Sequence, residues 1–223
     1  MEDKQINTKY KLTDFWFSLN FKPREFFSRF TGFEKAPYLL AVIFIVGISA
    51  SIDRIERQLV KYDAQGKLDQ LSFLNEWSVF WALGIALGIA FGYLAYYLGG
   101  WFFNLRIKWS KGEPNKEKAR FIYLYTLLVP GFLHLLFTIS SFIIDPKPFI
   151  SETDVSIKEL IQGFVLILAN FYSVYVSYIG ATTAFNPRKG LAILWFLFLP
   201  MLFYALALLA FVGLILLMAM KDI

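Results

Sequence analysis

The chain has 223 residues, of which 57% are hydrophobic, 19% aromatic and only 17% charged, and its mean hydropathy is +0.54. That charge content is too low to clothe a soluble domain of this length, so composition leans toward the membrane. There is no cysteine, which excludes disulfides, thiolate metal sites and a cysteine nucleophile, and the formal charge of +5 matters less for its sum than for its placement.

Residues 1–35 form a charged and aromatic lead-in with no cleavable signal peptide, expected to be a cytoplasmic tail. Within it Pro23 can start a helix, and Phe26, Phe27, Phe30 and Phe33 follow at helical spacing, interleaved with Arg24, Glu25, Arg29 and Glu34. The pattern predicts an interfacial helix on the cytoplasmic leaflet, phenylalanines down and charges toward water and headgroups. The same pattern also suits a packing collar against a helix bundle. Upstream, Phe15, Trp16, Phe17, Leu19 and Phe21 can continue the apolar contact.

Five apolar runs without Asp, Glu, Lys or Arg follow, and they predict an all-α polytopic bundle over residues 36–223. The spans are 36–52, 79–105, 121–144, 160–185 and 191–220. The first is at the short end of what crosses a bilayer, and the other four are long enough to cross with tilt.

Span 2 carries Gly84, Gly88 and Gly92 at four-residue spacing, a stripe that lets another helix approach closely, either within the chain or in a second copy. Span 3 bears Pro130-Gly131, expected to kink or loosen the helix near mid-membrane, and Pro200 is expected to do the same in span 5. Span 4 has a stripe of small residues, Ala169, Ser173, Ser177 and Ala181, with Asn170 beside it, so that face points into the bundle. His134 is the single histidine. It reads best as a neutral imidazole bonded to a Ser, a Tyr, Asn170 or the carbonyl freed by Pro130, and with Asn170, Ser173 and Ser177 it makes up the candidate intramembrane polar site.

Lysine and arginine fall unevenly. The tail, the loop from Arg106 to Arg120 and the Arg188-Lys189 turn outnumber Arg54, Arg57, Lys61, Lys67, Lys147, Lys158 and Lys221 by roughly two to one, which predicts a cytoplasmic N-terminus and an outside C-terminus. Trp101, Trp109, Trp195, Tyr123 and Tyr125 fit the cytoplasmic interface, and Trp77 and Trp81 the outer one.

No HExxH, P-loop or dinucleotide GxGxxG occurs, and the spans hold no carboxylate pair for metal or acid chemistry. The expectation is therefore a protein that is not an enzyme, with no metal and no cofactor. A Ser–His hydrolase using His134 and Ser141 can be imagined, but it has no third group. The basic loop reads as contact with anionic headgroups, not nucleic acid.

Taken in order, the Pro23-Arg24-Glu25-Phe26-Phe27 lead-in, a glycine-rich second span ending Gly99-Gly100-Trp101, the Tyr123–Pro130 stretch, a Tyr/Ser-rich fourth span ending Gly180-Ala181 and the Arg188-Lys189 turn resemble the YIP (Ypt/Rab-interacting protein) domain family. The short tail resembles its bacterial branch. The resemblance implies a multi-pass protein of the bacterial inner membrane with no catalytic residue to carry over. Eukaryotic relatives are associated with lipid-anchored Rab GTPases through a longer cytosolic region, largely missing here. The function expected is non-enzymatic organisation of membrane lipids or protein partners, with homo-oligomers or another membrane protein as possible company. The alternative is a transporter or scramblase-like conduit for a neutral or lipidic substrate.

Overall fold

In a computed structural model of the chain, residues 11–29, 38–150 and 157–219 are described, with side chains as far as residue 213. Phe30, Phe33 and the first two residues of the expected first span lie outside the described residues, as does the end of the fifth. All regular structure among the described residues is helical: α1 (Leu12–Phe21), α2 (Pro23–Arg29), α3 (Leu39–Ala64), α4 (Trp77–Leu94), α5 (Gly100–Trp109), α6 (Lys116–Thr126), α7 (Leu128–Ile144), α8 (Ile157–Ala184), α9 (Lys189–Ala192) and α10 (Leu199–Ala219). A 3₁₀ segment, Leu68–Asn75, links α3 to α4.

Several of these are pieces of one rod. A π-turn at Ala95–Gly99 joins α4 to α5, and a second at Ile193–Phe198 joins α9 to α10. Four rods are long and apolar enough to cross a membrane: Trp77–Trp109, Lys116–Ile144, Ile157–Phe185 and Lys189–Gly213. Helix α3 is not among them, because its uncharged stretch ends at Ile52 and Asp53, Arg54, Glu56 and Arg57 continue the same helix.

The loops sort to two ends. At one, the turns after α5 and α8 are sewn together: Glu113 N–H donates to Phe185 O at 3.0 Å and Arg188 N–H to Ser110 O at 2.8 Å. Asn115 caps α6 there, its side chain accepting from Glu117 N–H and Lys118 N–H. At the other end Asn75 Nδ2 donates to Phe149 O, Phe149 N–H donates back to Asn75 Oδ1, and Trp77 Nε1 donates to Asp145 O. The basic loop and the Arg188-Lys189 turn thus share one end.

Glycine sets how α3 meets α4. Gly84, Gly88 and Gly92 are all buried, and they face α3 of the same chain. A Cβ on Gly47 would run into the carbonyl oxygen of Gly88, and a Cβ on Gly88 would sit 2.7 Å from Ile48 Cγ1. Backbones this close gain dispersion contacts that replace the hydrophobic drive absent between helices in lipid. Because Ile43 lies against Gly92, α3 starts alongside the end of α4 and has no stretch beside α5.

Space beside that half of the bundle is taken by α1 and α2. Phe26 and Phe27, 0% and 3% exposed, pack into the main core with Phe15 and Leu19. Phe15 meets Tyr125 edge-on at 5.6 Å, Trp16 meets Phe132 at 5.0 Å, and Tyr172 Oη donates to Asn20 O at 2.6 Å. Phe27 lies beside Gly180, close enough to clash with an added side chain there. The phenylalanines of α2 therefore face protein, while Arg24, Glu25 and Arg29 face outward. Of the two readings of the Pro23 segment, this geometry is that of the collar.

Both prolines lie next to a loosened stretch of helix. The rod Lys116–Ile144 is interrupted at Leu127, one turn before Pro130, because a proline has no N–H for the carbonyl four residues back. Pro200 stands two residues beyond a widened π-turn, Ile193–Phe198, in the first turn of α10.

Candidate functional site

His134 is held between two groups of α3. Ser49 Oγ is 3.0 Å from His134 Nδ1, and Glu56 Oε2 is 3.1 Å from His134 Nε2. An ionised carboxylate only accepts, so Nε2 carries the proton and donates to Glu56, and Nδ1 shares a hydrogen bond with the Ser49 hydroxyl. Serine, histidine and glutamate thus stand in the order of a hydrolytic triad, with a serine other than Ser141. The surroundings do not fit that chemistry. Ser49 is 7% exposed, and the nearest side of it is closed by Gly131, where a Cβ would sit 3.6 Å from Ser49 Cβ. It also lies inside α3, where the neighbouring N–H groups belong to the helix and none is free to stabilise an oxyanion. The trio is a polar clamp between α3 and α7.

Asn170, Ser173 and Ser177 do not join it. Asn170 Nδ2 donates to Leu166 O at 2.8 Å and Ser173 Oγ to Asn170 O at 2.9 Å, both within α8. Ser173 and Ser177 instead line a separate cavity of about 140 Å³. Pro200 lines it too, with Tyr123, Thr126, Phe196, Tyr204 and Arg106.

Arg106 opens the basic loop in the sequence, but in the fold it stands within the rod Trp77–Trp109. Its guanidinium turns inward over the Phe196 ring, 4.2 Å from the centroid. Its Nε donates to Trp195 O at 3.0 Å, and Nη2 reaches the same oxygen. The reason that oxygen is open lies five residues on. At π spacing the Trp195 carbonyl would accept from residue 200, which is a proline without an N–H. The signal in the sequence was there, in Trp195 and Pro200 five apart with an arginine set among Leu105 and Ile107, but it needs the π-turn to be read.

A second arginine behaves similarly. Arg120 lies over the Tyr97 ring at 4.5 Å, its Nε is buried without a hydrogen-bond partner, and its Cα packs where a side chain on Gly100 would stand. Gly99 does the same for the Tyr123 ring. The Gly99-Gly100 pair is what lets α6 close on the π-turn.

A family model described as the Yip1 domain matches residues 16–219. The chain belongs to the Yip1 domain family. No curated protein and no solved structure matches it. The matched span begins inside α1, so the collar and the bundle together constitute the Yip1 domain of this chain. It is a multi-pass membrane protein of that family, with four helices of membrane-crossing length and composition among the described residues.

Proposed function

We propose that this Yip1-domain protein organises the lipids of one leaflet without catalysing a reaction, using its N-terminal collar as a fixed wedge. One observation carries the reading. Helix α1 is apolar on two sides, with Phe15 and Leu19 buried in the bundle and Phe17 and Phe21 turned outward, 54% and 71% exposed. Lys11, Lys22, Arg24 and Arg29 stand exposed around it and outnumber the acids there, Asp14 and Glu25, the latter paired with Lys22 and Arg29. A helix docked on protein by one face, apolar on the other and flanked by an excess of cations occupies area among anionic headgroups of the leaflet it faces. Being docked, it needs no ordering on contact with lipid.

In this reading the chain lies in the bacterial inner membrane with five spans, α3 supplying the first although its uncharged stretch is short. The N-terminus is cytoplasmic and the C-terminus outside, since the loop carrying Lys108, Lys111, Lys116 and Lys118 shares its end with Arg188 and Lys189. The natural chain has no cysteine, so single cysteines report sidedness directly. In right-side-out vesicles, Lys67→Cys is expected to react with an impermeant maleimide and Lys111→Cys only after lysis; the reverse pattern would invert the topology.

The wedge itself is tested by sorting. Protein reconstituted into mixed vesicles containing anionic lipid is expected to concentrate on the smallest ones, and the pair Phe17→Ser and Phe21→Ser to remove that preference while the purified protein stays folded. Equal distribution of the unaltered protein across vesicle sizes would end the wedge reading. The alternative, a conduit for a neutral or lipidic substrate, draws on the hydroxyl-lined cavity beside Ser173, Ser177 and Pro200. It requires flux in proteoliposomes above that of empty vesicles.

A further inference from the structure

We infer that the cavity at Arg106 is a binding site for a phosphate-type oxyanion, supplied by the headgroup of an anionic phospholipid. The inference rests on the membrane placement proposed above but not on the wedge.

The lining is one-sided in its hydrogen-bonding needs. The guanidinium of Arg106 has five N–H donors and no acceptor, and the one group that receives any of them among the described residues is the Trp195 carbonyl. No carboxylate lies within ion-pair distance of it there; Asp145 and Glu25, Asp53 and Glu56 pair elsewhere, and none of them lines the cavity. The hydroxyls of Tyr123, Tyr204 and Ser177 also line the cavity, and none has a hydrogen-bond partner among the described residues. A partly buried cation without its counter-charge carries a desolvation cost, so a site that keeps one gains from an anion. A ring of hydroxyls that can all donate, set beside a planar guanidinium fork, is suited to several oxygens on one centre.

Size narrows the ligand. At about 140 Å³ the cavity is well below the range for a whole small-molecule substrate, but a single oxyanion group fits. Its other walls, Leu127, Val174, Phe196 and Pro200, are apolar. The rod that carries Trp195 and Pro200 exposes Ile193, Leu194, Phe198 and Leu199 to the outside, as a lipid-facing helix would. Phosphate on a lipid therefore suits this place better than a soluble anion, although both offer the same chemistry to Arg106.

The test uses the full chain in detergent, where no bilayer is present and the wedge has no part. Thermal unfolding is followed while phosphatidylglycerol, phosphatidylcholine or inorganic phosphate alone is titrated in. The expected result is stabilisation at lower concentrations of phosphatidylglycerol than of phosphatidylcholine. That preference falls about tenfold in Arg106→Gln, the loss of one charge-assisted hydrogen-bonding group. It persists when Lys108→Gln and Lys111→Gln are combined, since those lysines are exposed. Saturable stabilisation by inorganic phosphate that Arg106→Gln removes would keep the site and assign the free ion as its source. Ser177→Ala removes a lining hydroxyl without touching the Trp195 carbonyl, so it decides the matter should Arg106→Gln not fold; a severalfold weakening is expected. Equal response to both lipids with no response to phosphate would overturn the proposal. So would a preference that survives both Arg106→Gln and Ser177→Ala, or one that disappears with the two surface lysines.

Discussion

Gly47→Ala is expected to be the most damaging single-methyl change in the protein. The added Cβ has no flexible neighbour to displace: it meets the Gly88 carbonyl oxygen and the Gly92 backbone, so α3 and α4 must separate along their whole contact. Overpacking usually costs about 1–3 kcal/mol and more where backbone has to move. In lipid the loss is not repaid by hydrophobic burial elsewhere, because the released surface is as well solvated by acyl chains as by protein. The outcome to look for is failure to purify as a single folded species, or a large fall in unfolding temperature in detergent. Gly84→Ala is the control within the same stripe. There the nearest atom is Ile52 Cγ1 at 3.1 Å, the side chain can give by a few tenths of an ångström, and little change is expected. Equal tolerance of both substitutions would show that the α3–α4 contact is looser than described. Because the whole stripe faces inside the chain, Gly88→Leu is likewise expected to prevent folding, not to dissociate an otherwise intact oligomer.

The second large effect is at His134. Replacing it with alanine leaves Ser49 Oγ and the Glu56 carboxylate without their partners on α7. Interhelical hydrogen bonds in membranes average about 0.6 kcal/mol, so two lost together should cost about 1–2 kcal/mol. That is measurable, and smaller than the glycine effect. Thermal unfolding of His134→Ala, Ser49→Ala and the double variant forms a cycle in which the coupling between the two positions is expected to be about 0.5–1 kcal/mol. Additive losses would mean that the clamp is incidental. A hydrolase would behave otherwise: an esterase activity abolished by Ser49→Ala with no change in stability would contradict the clamp.

What was legible in the sequence follows from which rules act locally. Membrane-length apolar rods are a matter of length and composition, and the four clear ones were readable. The first span was harder because Asp53 to Arg57 continue its helix beyond the uncharged stretch, and helix length then says nothing about where lipid ends. The Gly84, Gly88 and Gly92 stripe announces a close approach but not whose; only Gly47 on α3, a lone glycine in an apolar run, names the partner. Phe26 and Phe27 show the limit of amphipathic periodicity, which finds an apolar face and is blind to whether lipid or protein covers it. His134 does meet a serine, but Ser49 of α3 and not Ser173 or Ser177 of α8, and its second partner, Glu56, comes from the charged turn that continues α3 past the uncharged stretch. The inward turn of Arg106 is hidden from sequence because positive charge near a span end is ordinarily solvated. Its inward turn depends on a carbonyl opened by a π-turn and Pro200, a non-local consequence of a local defect.

Accessibility along the collar tells whether α1 and α2 are docked in the bundle with one face kept for lipid. Single spin labels at Phe15, Phe17, Phe21, Arg24 and Phe26, in protein reconstituted into anionic vesicles, report contact with oxygen in lipid and with a nickel chelate in water. Oxygen contact is expected at Phe17 and Phe21, nickel contact at Arg24, and little of either at Phe15 and Phe26. Oxygen contact at Phe26 with nickel contact at Phe17 would contradict that docking.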